Sequence, residues 1–180
     1  LALQAMVNPG DEVLMPTPAW VSYKPMTELA GGIFVEIPTT SASQFLATAK
    51  QFEDAITPQT RVVILNSPSN PCGTMYNADE TRAICNVLSR HDNITLISDE
   101  IYAELTYEGE HVSIASLPGM RERTIFLHGW SKAWAMTGWR IGYACAPAEL
   151  TEAMMKVHQY SMMCASIIAQ DAAVEAMKNG

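Results

Sequence analysis

Six short apolar or β-branched runs recur along the chain, and each is separated from the next by a helical segment or a turn. The runs are EVLM (12–15), IFVEI (33–37), RVVILN (61–66), ITLISDE (94–100), TIFLHG (124–129) and RIGYACA (140–146). Helical periodicity fills 19–30, a short piece at 50–56, 77–90, and a long stretch from 148 to 178. Asn77 followed by Glu80 makes a capping pair, and Ala83, Ile84, Val87 and Leu88 then share one apolar face. Continuous apolar strands linked through helices must be covered on both sides. The expected fold is therefore α/β, a mostly parallel sheet with helices on both faces, in three α/β/α layers.

A chain of 180 residues, 48% of them hydrophobic, can bury one sizeable core, and no repeat or compositional break divides it. Nineteen acids against eleven bases give a net charge of −8, which argues against a nucleic-acid surface. Runs such as VVIL and ITLI are too short to span a bilayer, and no basic start precedes an apolar signal core. Cys72, Cys85, Cys145 and Cys164 contain no C-x-x-C pair and read as reduced thiols of a cytoplasmic protein. His91, His111, His128 and His158 lack ligand spacing, so no metal is assigned. The methionines at 154–163 read as a buried helix face, and Glu104, Glu108 and Glu110 as solvated acids. The opening LALQAM has no initiator Met and already follows a helical pattern, with Leu1, Ala2, Ala5 and Met6 on one face. This reads as the start of a piece of a longer chain.

In a sheet of this kind, ligands bind beyond the carboxyl ends of the strands. Three of those ends carry polar chemistry. NSPSNPCG projects Asn66 and Asn70 from a tight turn, DEIY presents Asp99 and Tyr102, and GWSK delivers Lys132. Singly, each has an ordinary explanation: a turn former, a helix cap, or a lysine laying its stem along Trp rings. Together they would point into one crevice.

A lysine among apolar groups has its charged form disfavoured, which leaves an amine able to form a Schiff base with a carbonyl. The aldehyde of pyridoxal phosphate is the usual partner. Such a cofactor wants a carboxylate at its ring nitrogen, for which Asp99 is the candidate, and donors at its phenolic oxygen, for which Tyr102 and Asn70 are available. Arg140 offers a phosphate fork, and Trp20 a flat face for the ring.

NPGDEVLMPTPAWVSY, LAGG, NSPSNPCGTMY, SDEIYAELTYEG and SKAWAMTGWRIGY occur in this order over most of the chain. In these five blocks the chain resembles the large, cofactor-binding domain of a class I, fold type I aminotransferase that uses pyridoxal 5'-phosphate. It is most similar to the aspartate and aromatic aminotransferases of bacteria. The resemblance implies that Lys132 carries the cofactor as a Schiff base and then moves the substrate α-proton. It likewise gives Asp99 to the ring nitrogen, Tyr102 and Asn70 to the ring oxygen, Arg140 to the phosphate and Trp20 to the ring face. It implies a cis Asn70–Pro71 bond, amino-acid and 2-oxo-acid substrates, and a homodimeric parent. Residues 1–180 would form part of the large domain, without the upstream arm and the C-terminal small domain, so that the piece alone would be poorly active.

Two positions depart from the family pattern. Cys72 stands where many members have Thr, and Gly129 where members often place a phosphate-binding Ser, leaving Ser131 as the nearest hydroxyl. The same fold also hosts carbon–sulfur lyases and other amino-acid lyases, and related domains serve as sensors in transcription regulators.

Overall fold

The computed structural model describes residues 1–180 and contains one six-stranded sheet. The strands are β1 (Glu12–Thr17), β2 (Ile33–Pro38), β3 (Thr60–Asn66), β4 (Thr95–Asp99), β5 (Thr124–Gly129) and β6 (Gly142–Cys145). Their spatial order is β2-β1-β3-β4-β5-β6, parallel through β5, with β6 antiparallel to β5. Helices α1 (Ala2–Met6), α2 (Tyr23–Leu29), α3 (Ala49–Ala55), α4 (Ala78–Leu88), α5 (Trp130–Ala133), α6 (Ala148–Ser161) and α7 (Ile167–Asn179) complete the fold.

The apolar runs are continuous because neighbouring residues serve opposite faces. Leu14, Val63, Leu65 and Leu96 pack under Phe52 of α3 and Ile84 and Leu88 of α4. Val13, Val62, Ile64, Ile97 and Ile125 pack on the other face against Leu3, Tyr23 and Met154. This is the three-layer arrangement expected, with one core on each side of the sheet. The Asn77 side chain caps α4 by accepting from the Asp79 and Glu80 N–H groups, and Glu80 reaches back to the Asn77 N–H. Strand β1 runs through Pro16 to Thr17, further than its sequence suggests. Its pairing with β3 ends at Leu14, so on that side Pro16 need not donate.

Four expectations need correction. The helical stretch from 148 to 178 is two helices, because their burial targets differ. α6 sends Met154 into the core with Leu3, whereas Ala173 of α7 packs with Trp130 and Met136. Between them Met163 turns through a left-handed backbone, with φ 65°. The methionines do not form a buried face: Met154 is buried, but Met155, Met162 and Met163 are exposed. In α1 the buried residue is Leu3, while Leu1 is exposed. The helical segment at 19–30 also starts late, at Tyr23, since Trp20 and Ser22 serve the turn before it.

All four cysteines are free thiols, with Cys85 buried and Cys145 and Cys164 exposed. No helix is long and apolar enough to cross a membrane.

Candidate active site

The strand order changes direction at β1, which has β2 on one side and β3 on the other. Beyond the carboxyl ends of β1, β3, β4 and β5 lies a cavity of about 330 Å³, within the range of small-molecule sites. Trp20 reaches it from the turn after β1, and Asn70 from the turn after β3. Asp99 closes β4, and Tyr102 follows it. Ser131 and Lys132 enter on α5, and Arg140 precedes β6. Every residue singled out from the sequence therefore lines the same cavity.

Asp99 is the most closely held. Tyr23 Oη donates to its Oδ2 at 2.7 Å, and the Ile101 N–H donates to its Oδ1 at 3.3 Å. Burial pushes the Asp99 carboxyl above the ordinary carboxylate range, against the pull of these two donors and of His128. Asp99 enters no ion pair with any Lys, Arg or His of the chain; its partners at the carboxylate are neutral donors. Burial, reinforced by the Asp99 charge, holds the Tyr23 phenol far above its usual range, so Tyr23 is a donor at every ordinary pH.

Asn66 joins two of the segments. Its Nδ2 donates to the Asp99 carbonyl at 3.0 Å, and its Oδ1 accepts from the Asn70 N–H at 2.7 Å. The Asn70–Pro71 bond is cis, as are Thr17–Pro18 and Ser67–Pro68. Asn70 Nδ2 donates to Tyr102 Oη at 3.3 Å, which leaves the phenolic proton free to point into the cavity. Lys132 Nζ stands 5.6 Å from the centre of the Tyr102 ring. The Trp20 ring meets Tyr23 edge-on at 5.4 Å and keeps a face open. Arg140 has a left-handed backbone, with φ 54°, and its guanidinium donates to the Thr137 carbonyl at 2.8 Å.

Gly129 explains the missing hydroxyl. A Cβ there would come within 2.8 Å of Gly142 Cα and 3.0 Å of the Ile141 carbonyl, because β5 and β6 pair at these two glycines. A serine cannot stand at this position without moving a strand, so Ser131 and its neighbour Thr137 supply the hydroxyls that the cavity has on this side.

Tyr23, Asn66, His128 and Thr137 also line the cavity without having been assigned to it. Asn66 was visible at a strand end. Tyr23 and His128 gave no local signal, since their partners lie 76 and 24 residues away. Glu104 is a correction as well: it is the acceptor for His128 Nε2 at 2.8 Å and not simply a solvated acid.

The donor set suits pyridoxal phosphate. A buried carboxylate without a protein cation, a phenol with a free proton, an amine, a guanidinium and an open aromatic face match its ring nitrogen, ring oxygen, aldehyde, phosphate and ring in turn.

The family model for aminotransferase class I and II matches residues 1–180. The Bacillus subtilis (strain 168) protein YugH is 53% identical over 180 residues, covering 100% of this chain and 46% of YugH. An aspartate aminotransferase of Rhizobium meliloti (strain 1021) is 46% identical over 178 residues, 98% of this chain and 43% of that protein. Among solved structures, the aspartate aminotransferase of Thermus thermophilus with maleate superposes with a TM-score of 0.95 at 43% identity, covering 99% of this chain and 46% of that one. The chain thus spans less than half the length of the relatives it matches.

Proposed function

The chain belongs to the class I and II aminotransferases, and on that premise we propose that it forms the cofactor-binding large domain of an enzyme that moves an amino group from an amino acid to a 2-oxo acid with pyridoxal 5'-phosphate as carrier. The observation that carries the reading is the convergence of Lys132, Asp99, Tyr102, Asn70, Ser131, Arg140 and Trp20 on one cavity. The parent enzyme acts in the cytoplasm as a homodimer.

When bound, pyridoxal phosphate supplies an aldehyde for amine capture and a ring that draws off the electron pair released at the substrate α-carbon. The chain's own groups make that possible. Asp99 would hold a proton at the ring nitrogen and be compensated by it, since the carboxylate makes no ion pair within the chain. Tyr102 donates its free proton to the ring oxygen, while Asn70 fixes the phenol from behind. Lys132 Nζ would hold the cofactor through its aldehyde and, as a free amine, would be the base that carries the substrate α-proton. Arg140 and Ser131 would hold the phosphate, and Trp20 would shield one ring face from water. Named relatives transaminate aspartate, which makes aspartate the first donor to assay.

The test is a covalent trap. Pyridoxal phosphate is added to the purified chain, the absorption is recorded, borohydride reduces the adduct, and peptide mapping locates the added mass beside a Lys132→Ala control. The expected result is one label on Lys132 that vanishes in the variant. Absence of label both in this chain and in a chain of the relatives' full length would overturn the proposal.

A further inference from the structure

We propose that His128 and Glu104 form a clasp that sets the distance between the segments carrying Lys132 and Tyr102, so that both are positioning residues of the cofactor cavity. The inference rests on the function proposed above. His128 lies in β5, four residues before Lys132; Glu104 lies in the 3-10 turn Ala103–Leu105, two residues after Tyr102. The two side chains tie the end of β5 to the segment that leaves β4.

The geometry leaves the imidazole one arrangement. The Gly129 N–H donates to His128 Nδ1 at 2.7 Å, so the ring proton sits on Nε2 and is donated to Glu104 Oε2 at 2.8 Å. The ring stacks on Phe126 with centroids 5.8 Å apart and planes 6° from parallel, and Tyr143 packs 5.7 Å away. The His128 side chain is 4% exposed, against 47% for Glu104, so the carboxylate anchors from the surface a ring that is fixed inside. His128 also lines the cavity itself. Its other titratable neighbours are Asp99 and Tyr143.

The clasp matters because α5 is weak alone. It is a single turn with no side-chain cap, and its closing bond, from the Trp134 N–H to the Trp130 carbonyl, is 3.3 Å long. One turn does not persist without tertiary support. Glu108 and Glu110, in the same stretch, make no side-chain bond and are exposed, so the engagement of Glu104 is not a general property of that acidic segment.

Three readouts on the 180-residue chain test this. Nitrogen-15 NMR of His128 should show an unprotonated Nδ1. Glu104→Ala should speed amide hydrogen exchange at Trp134, Ala135 and Met136 about ten-fold, the scale of one charge-assisted hydrogen bond, with helix α4 unchanged. Glu104→Gln, whose amide oxygen still accepts from Nε2, should restore most of that protection. The dissociation constant for pyridoxal phosphate should rise in step with exchange across the three proteins. Exchange that is unchanged, or that rises equally in α4, would overturn the clasp while leaving Lys132 labelling, and so the proposed function, intact. A local exchange change with unaltered cofactor affinity would overturn the positioning role. Failure to label at Lys132 both in this wild-type chain and in a chain of the relatives' full length counts instead against the proposed function.

Discussion

The Tyr23 hydroxyl donates to Asp99 Oδ2 at 2.7 Å, joining the first turn of α2 to the end of β4 across 76 positions of sequence. This bond favours the charged form of a carboxylate that burial otherwise pushes toward its neutral form. Tyr23→Phe removes the donor and keeps the ring. It should cost about 1–3 kcal/mol of stability near neutral pH, the range for a buried acceptor left without its partner. Urea unfolding at two pH values checks it: the loss should shrink once Asp99 is protonated.

Asp99 itself should make the cofactor-free protein less stable at neutral pH. Its folded-state pKa is raised, so the folded state holds the proton more tightly than the unfolded one. The stabilising contribution is complete below the ordinary value of 3.8 and declines as pH rises through the folded value. Asp99→Asn keeps an acceptor for Tyr23 without the buried charge. Thermal melts should therefore show the variant gaining on the parent as pH rises from 3 toward 7, while equilibrium dialysis shows weaker retention of pyridoxal phosphate. A variant that lost stability in the neutral range would contradict the assignment of burial as the dominant cause.

Gly129→Ser would place here the hydroxyl that the family resemblance led one to expect, and should be harmful. Its Cβ would meet Gly142 Cα at 2.8 Å, backbone against backbone, with no side chain to swing aside. A loss of about 1–3 kcal/mol is expected from such overpacking, with no gain in cofactor affinity. Denaturant midpoints and a cofactor titration on the same preparation decide it.

Asn66 bonds both the Asp99 carbonyl and the Asn70 N–H; in Asn66→Ala the carbonyl keeps the Ser67 N–H at 3.3 Å, while the Asn70 N–H loses its partner. The expected cost is about 1–3 kcal/mol, the range for one polar group left without its partner. Asn66→Asp retains the acceptor for Asn70 but adds a negative charge near Asp99, and should bind pyridoxal phosphate with a steeper dependence on pH than the parent. Identical binding profiles for the two proteins would show that Asn66 does not act on the Asp99 end of the cavity.

Much of this molecule is local in origin. Six strands and the cap at Asn77 follow from apolar runs, turn residues and a three-residue spacing, all properties of neighbours in sequence. The site residues were legible for a related reason: in a parallel sheet, whatever follows each strand arrives at the same edge. Asn70, Asp99, Tyr102, Ser131 and Lys132 could be listed together before their distances were known. The break between α6 and α7 was not legible, because both halves are good helix; what separates them is that Met154 and Ala173 are buried in different clusters. The exposed methionines beyond Met154 were misread for the same reason, since an apolar side chain does not state which surface will cover it.

By itself, then, the sequence determined the alternation of strands and helices, the two-sided core and the set of groups gathered at one sheet edge, because these depend on hydrophobic period and on the direction in which parallel strands run. Tertiary structure alone decided which side chains hold which. The pairing of Tyr23 with Asp99, of His128 with Glu104 and of Gly129 with Gly142 depends on strand order and register, which bring distant positions within bonding distance and leave no trace in local composition.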